Sequence, residues 1–169
     1  EVANAATSGA QVVDVATVEQ VNAFISEMRS ANSVYGTLAE LSATTGLRWE
    51  EAVALRIKDV DLTAGTVSVR QARKRCKGGT FIGLPKTRQS VRSIRLTESV
   101  IAQLKQLADG HDDDDWLFTT SRGERSPITS SSSFRRSWWY PAAVRSGFDP
   151  FKWHSLRHFY ATQQLKAGV

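Results

Sequence analysis

Four side chains in this 169-residue chain have the chemistry needed to act together on a phosphate group. Arg48 follows a glycine turn, while His154 and Arg157 stand three residues apart near the start of a predicted helix. Two planar guanidinium groups can hold both non-bridging oxygens of one phosphodiester and stabilise the extra negative charge of a pentacoordinate transition state. Such a pair can take the place of a metal ion.

Lys86 and His154 add groups that can transfer protons. A lysine near the scissile phosphate could protonate the departing 5′ oxygen, and a histidine could accept or return the proton of a nucleophile. Each residue also has an ordinary interpretation. Arg48 can pair with Glu51, and Lys86 can simply be exposed. His154 can cap a helix. The residues therefore indicate phosphodiester chemistry only as a set.

A basic segment lies between these groups along the chain. There is no acidic residue from Arg70 to Arg95, and cations of a single sign suit a phosphate backbone. A solvated hairpin on a basic protein would show the same pattern. We expect six cations to contact DNA: Arg73, Lys74, Arg75, Lys77, Arg88 and Arg92.

Composition excludes several other classes of protein. The formal net charge of +5 favours a polyanionic partner where the basic residues cluster. A single cysteine, Cys76, cannot form an internal disulfide, and no Cys/His spacing resembles a zinc site. No apolar run approaches the ~20 residues needed to span a bilayer. We therefore expect an intracellular protein with no metal and no membrane partner.

Helices dominate the elements that must position the candidate groups. Thr17 and Gln20 fit a capping box, and apolar residues then recur at helical spacing. A second helix over 34–43 should end at Gly46, and a third should begin near Trp49. Arg48 would then lie in the tight turn between two helices.

The middle of the chain predicts strands. Segments 59–62, 66–69 and 90–96 alternate in the manner of β-strands and are separated by glycines, which predicts a small antiparallel sheet. A further helix is predicted over about 97–108, and another after residue 133 that Pro141 should kink or break; residues 153–166 should form a loop and a helix.

The chain has the length of one domain. Residues 1–15 are small and polar without a sustained period, which indicates a linker, and 16–169 should form a single α+β domain. Because the sequence opens with Glu1 and ends just after a helix-stopping Gly168, we expect it to be a segment of a longer protein.

Three strings carry a resemblance to a known family. TTGLRWEEAVALRIKDVDL, PKTRQSVRSIRL and HSLRHFYATQQLKAG occur in the order in which tyrosine recombinases of the phage integrase type carry their catalytic boxes. The resemblance implies that Arg48 and Arg157 are the two catalytic arginines. It also implies that Lys86 is the hairpin lysine, that His154 belongs to the H-x-x-R box and that Glu51 supports the site.

The resemblance also implies a reaction and its partners. We expect a mainly helical catalytic domain with a small antiparallel sheet that acts on duplex DNA without a cofactor, through a 3′-phosphotyrosyl intermediate. The family carries its nucleophilic tyrosine after the H-x-x-R helix, so we expect it to lie outside this sequence and Tyr160 to be a packing residue. The fragment alone should be monomeric and cleave DNA poorly, whereas the full-length protein should form a tetramer on DNA.

Two other functions stay open. The chain could be a non-catalytic DNA-binding module, or it could resemble a type IB topoisomerase, against which the recombinase-like strings argue. Our favoured role is the integrase of a phage or other mobile element, acting in the cytoplasm of a bacterial or phage-infected cell.

Overall fold

A computed structural model describes residues 15–120, 125–148 and 151–169, so the predicted linker over 1–15 lies almost entirely outside the described residues. Helix α1 spans Val18–Ala31, and the predicted capping box is present at its start. The Thr17 hydroxyl accepts a hydrogen bond from the backbone N–H of Gln20 at 3.2 Å, and the Gln20 side chain accepts one from the backbone N–H of Thr17 at 2.9 Å.

Helix α2, Ser33–Thr45, is the central helix of the fold. It contacts α1 and two later helices, and residues around most of its circumference are buried, including Leu38 and Leu41. It ends at Gly46, whose φ of 65° lies in the left-handed region that glycine adopts without strain. Helix α3, Trp49–Ala52, begins three residues later, as predicted. The turn that carries Arg48 is therefore fixed to the most buried helix.

The strands form two antiparallel sheets, so the prediction of one small sheet was incomplete. Strands β1 (Val60–Asp61), β2 (Thr66–Val69) and β5 (Arg92–Arg95) form the first sheet in the order β1-β2-β5. Strands β3 (Ala72–Cys76) and β4 (Gly79–Gly83) form a separate hairpin.

The separate hairpin follows from a glycine turn. Gly78 and Gly79 both have positive φ, so the basic segment can fold back on itself between β3 and β4. Residues 70–91 thus leave the first sheet and return to it, because Val69 is paired directly with Arg92.

Helix α4, Glu98–Ala108, follows β5 and packs on α2. The C-terminal part contains α5 (Ser131–Phe134) and α6 (Tyr140–Arg145), joined by a π-helical turn over Arg135–Trp139. The interruption predicted at Pro141 is thus a change of helical hydrogen bonding just before the proline, not a break. Within the described residues, each helix is too short or too polar to pass through a lipid bilayer.

The last helix, α7 (Trp153–Lys166), is held beside the Arg48 turn by two tryptophans. The indole N–H of Trp153 donates to the Leu47 carbonyl at 3.1 Å, and that of the fully buried Trp139 donates to the Phe151 carbonyl at 2.6 Å. Buried indoles that find a hydrogen-bond partner fix both packing and orientation. The start of α7 therefore lies next to the turn between α2 and α3.

Candidate active site

Arg48 lies at the N-cap of α3 and points partly to solvent, with 41% of its side chain exposed. Its backbone N–H donates to Oε2 of Glu51 at 2.9 Å, and its Nη1 lies 3.2 Å from Oε1 of the same carboxylate. The ion pair that was the ordinary interpretation of Arg48 is present. It occupies only one end of the guanidinium group, so the other nitrogens can take a further ligand.

Glu51 is the buried centre of this cluster, with a side chain only 2% exposed. Arg92 at the start of β5 also reaches it, with Nη1 3.2 Å from Oε1 and Nη2 3.0 Å from Oε2. Burial raises the pKa of Glu51, but the hydrogen bonds from Arg92 and from the Arg48 backbone, with the charges of both arginines, outweigh it and hold that pKa below its usual value. Glu51 is therefore a carboxylate near neutral pH.

Arg157 joins the same turn from α7. Its Nη1 donates to the carbonyl oxygen of Gly46, two residues before Arg48. Burial and the nearby charge of Arg48 lower the pKa of Arg157, although an arginine keeps its proton in either case. The two arginines predicted to clamp a phosphate are thus anchored to one short loop.

An open groove of about 870 Å³ collects these groups. Arg48, Arg92 and Arg157 all line it, together with Ser90 and Tyr160. Arg95 lines the groove as well, and the buried Glu51 carboxylate pairs with only two of these four arginines, so the groove carries a surplus of positive charge. It has the shape and sign expected of a surface that receives a phosphodiester.

His154 lies on α7 one turn before Arg157 and is exposed. Its ring meets that of His158 edge to face, with centroids 4.4 Å apart. Burial and the positive charges of His158, Arg157 and Arg48 lower the pKa of His154. The imidazole is therefore mostly neutral at pH 7 and able to accept a proton.

Lys86 differs from its predicted placement. It is exposed in the loop between β4 and a 3-10 turn at Arg88–Ser90, and not within the hairpin. Pro85 has no backbone N–H to donate, so the ladder cannot continue into this loop. The next residue, Thr87, lines the groove, whereas Lys86 and His154 do not. The loop borders the site without bringing the lysine into it.

The expected DNA contacts fall into different places. Arg75 and Lys77 are exposed on the hairpin and Lys74 is half-buried, whereas the side chain of Arg88 lies outside the described part of the structure. Arg92 is bound to Glu51, as described above. Among those of the six predicted contacts whose side chains the structure describes, Arg75 and Lys77 at the hairpin tip are the exposed ones.

Arg73 contradicts the prediction that it contacts DNA, because it is only 8% exposed. Successive strand residues point to opposite faces, so Arg73 points inward where Lys74 does not. Its guanidinium lies over the ring of Trp116, 4.6 Å from the centroid, and Arg56 occupies the same ring at 4.0 Å. Nη1 donates to Thr80 at 3.2 Å, but Nε and Nη2 are buried without a partner. Arg73 is a packing residue of the hairpin.

Two parts of the site could not be predicted from the sequence. The Gly46 carbonyl holds Arg157, and Arg92 completes the shell around Glu51. Arg92 and Glu51 are 41 positions apart, and no local pattern reports such a pair.

Comparison with known proteins shows which family has this sequence pattern. Residues 12–169, nearly the whole chain, match the sequence model of the phage integrase family. The chain belongs to the phage integrase family. Tyrosine recombinase XerD of Vibrio cholerae serotype O1 is 32% identical over 134 residues, which cover 78% of this chain and 40% of the relative. The integrase of Salmonella phage P22 is 24% identical over 140 residues, 79% of this chain and 33% of that protein.

Solved structures of integrases and recombinases share the fold. The Tn1549 transposon integrase, in a complex with transposon right end DNA, has a TM-score of 0.69 at 23% identity, over 90% of this chain and 53% of that one. The XerA recombinase has a TM-score of 0.68 at 22% identity, over 92% and 52%. The predicted α+β fold of a tyrosine recombinase catalytic domain is confirmed. The chain spans only about two fifths of the length of the curated relatives it matches.

Proposed function

We propose that the chain supplies the phosphate-binding part of a site-specific DNA recombinase of the integrase type, which cleaves and rejoins duplex DNA through a 3′-phosphotyrosyl intermediate. The convergence of Arg48 and Arg157 on the 46–48 loop, beside a buried Glu51, is the observation that carries this proposal. A non-catalytic DNA-binding module needs cations on its surface, but it has no need to anchor two of them to one short loop beside a buried carboxylate.

The chemistry follows from two arginines that line the groove and from two proton-transfer groups beside it. Arg48 and Arg157 have guanidinium nitrogens that can donate to the non-bridging oxygens of the scissile phosphate. Because both are anchored before DNA arrives, little reorganisation opposes the stabilisation of the transition state. The neutral imidazole of His154 would accept the proton of the attacking tyrosine hydroxyl. Lys86 lies outside the groove in this structure, and it would protonate the departing 5′ oxygen once its loop brings it over the bound DNA.

Partners and setting belong to the same proposal. The exposed hairpin cations Arg75 and Lys77 would contact the DNA backbone, and the full-length protein would act as a tetramer on duplex DNA in the cytoplasm. Integration or excision of a phage or other mobile element is the role we favour. The names of the similar proteins, which include a phage integrase and a transposon integrase, support it.

The nucleophile is identified by a cleavage experiment with a nicked suicide substrate, scored as a covalent protein–DNA adduct on a denaturing gel. This chain is compared with the longest natural form of the protein, each with and without Tyr160→Phe. We expect adduct from the longer form and no effect of Tyr160→Phe, because Tyr160 lies with its ring against Gly46. Adduct that disappears with Tyr160→Phe would make Tyr160 the nucleophile.

Arg48→Ala in the longest natural form tests the proposed phosphate clamp. Loss of one transition-state donor lowers the cleavage rate by about 10²–10³-fold, while DNA affinity should weaken only modestly, because most backbone contacts remain. A substrate with methyl in place of one non-bridging oxygen carries one negative charge fewer, so the variant should be impaired less on it. A wild-type cleavage rate for the Arg48→Ala variant would contradict the enzymatic proposal and favour a DNA-binding module.

A further inference from the structure

Arg92 has the contacts of a positioning residue and not those of a DNA-backbone contact. We propose that Arg92 neutralises and holds Glu51 so that the guanidinium of Arg48 stays free for the scissile phosphate. This inference rests on the proposed function and gives Arg92 a role different from the one predicted from the sequence.

The first support is that the buried carboxylate of Glu51 needs a cation and hydrogen bonds to balance its charge. Glu51 is 2% exposed, and a charge removed from water must be paired and hydrogen-bonded to be tolerated. Arg92 meets both carboxylate oxygens at once, in the bidentate geometry that gives the strongest pairing of these groups. Arg48 offers its backbone N–H and a single 3.2 Å side-chain contact.

The second support is that Arg92 has more of its guanidinium nitrogens already bonded than Arg48 has. Both terminal nitrogens of Arg92 are engaged by Glu51, and Nη1 also donates to the Ser90 carbonyl at 2.9 Å. Its side chain is 29% exposed against 41% for Arg48. Arg92 has little capacity left for a phosphate, whereas within the described structure Arg48 commits only one guanidinium nitrogen.

Removal of Arg92 would therefore act on Arg48. Glu51 would keep its buried charge with Arg48 as the remaining bound cation, and the Arg48 guanidinium would be drawn onto the carboxylate and away from the groove. A second change that removes the charge of Glu51 should relieve this effect. A simple loss of a DNA contact could not be relieved in that way.

The test compares Arg92→Gln, Glu51→Gln and the double variant in the longest natural form of the protein. The matched control is Arg145→Gln, which removes an arginine from an exposed pair with Glu27 at 2.8 Å. At saturating suicide substrate, Arg92→Gln should lower the rate of adduct formation by about tenfold or more, as expected for loss of a transition-state interaction. The control should match wild type.

Two readouts separate positioning from DNA contact. In the Glu51→Gln background, addition of Arg92→Gln should change the rate by less than about threefold, because the two side chains act as one unit. The dependence of DNA affinity on salt should keep its wild-type slope. A slope reduced by about 0.9, the value for one lost phosphate contact, with a rate that recovers at saturating DNA, would overturn the inference.

An NMR titration of the Glu51 carboxyl group tests the inference without a measurement of cleavage. Arg92→Gln should raise the pKa of Glu51, and Arg145→Gln should leave it unchanged. A Glu51 titration that Arg92→Gln does not move would contradict the positioning role, whereas a wild-type protein that forms no adduct would contradict the proposed function. Arg92→Lys keeps the charge but not the bidentate geometry, so it should fold and still cleave more slowly than wild type.

Discussion

Gly46 is the position where backbone conformation, packing and the site meet, and Gly46→Ala should disturb all three. Its φ of 65° is unfavourable for alanine by about 1–2 kcal/mol. A Cβ placed there would lie 2.4 Å from Cδ1 of Tyr160. Overpacking of this kind costs about 1–3 kcal/mol. The free energy of unfolding should thus fall by roughly 2–5 kcal/mol, equivalent to a drop in Tm of about 4–20 °C for a domain of this size.

The two contributions can be separated with Tyr160→Ala as a second background. Without the ring, Gly46→Ala should lower the free energy of unfolding only by the backbone contribution of about 1–2 kcal/mol. This is measured by chemical denaturation of the wild type, the two single variants and the double variant. Since the Gly46 carbonyl accepts the Arg157 hydrogen bond, cleavage should also slow well below the melting temperature. An equal cost of Gly46→Ala in both backgrounds would refute the steric argument. A wild-type Tm for Gly46→Ala would show that residue 46 does not adopt the left-handed conformation.

Two further changes test the surroundings of the site. His158→Gln removes a positive neighbour that lowers the pKa of His154. Because a general base works only when unprotonated, the cleavage rate should then begin to fall at a higher pH than in wild type, as seen in a pH–rate profile. Arg73→Met removes two buried nitrogens that have no hydrogen-bond partner, at the loss of a cation–π contact and of the hydrogen bond to Thr80. It should leave stability unchanged or raise it by about 1 kcal/mol, with wild-type salt dependence of DNA binding, whereas Lys77→Gln should lower that slope. A reduced slope with Arg73→Met would restore Arg73 as a DNA contact.

Local signals in the sequence were sufficient for the elements that frame the site. The capping box at Thr17, the stop at Gly46 and the start near Trp49 each depend on residues within one or two helical turns, and all three are present. The positions predicted for the two clamp arginines also follow from these elements, because each lies at a helix start or turn.

Features set by distant contacts could not be predicted in the same way. Whether Arg73 faces DNA or the interior depends on Trp116, which is far along the chain, and the charge pattern of the segment is the same in either case. The pairing of Arg92 with Glu51 depends on the register between β2 and β5, which places the start of β5 beside α3. The placement of Lys86 depends on where the hairpin ends, and the pairing of Ala72 with Gly83 that ends it joins residues too far apart in the sequence for a local pattern to show.

The closed base of the basic hairpin has a consequence for how such a protein can change. Val69 pairs with Arg92, so residues 70–91 leave the first sheet and return to it at one place, and the β3–β4 tip over 76–79 has no strand pairing with that sheet. Insertions, deletions or exchange of the β3–β4 tip should therefore be tolerated without a shift of the arginines in the groove. Under the proposed function, the exposed cations of this tip could therefore change quickly while the phosphate-binding groove stays the same, and one tip could be grafted in place of another.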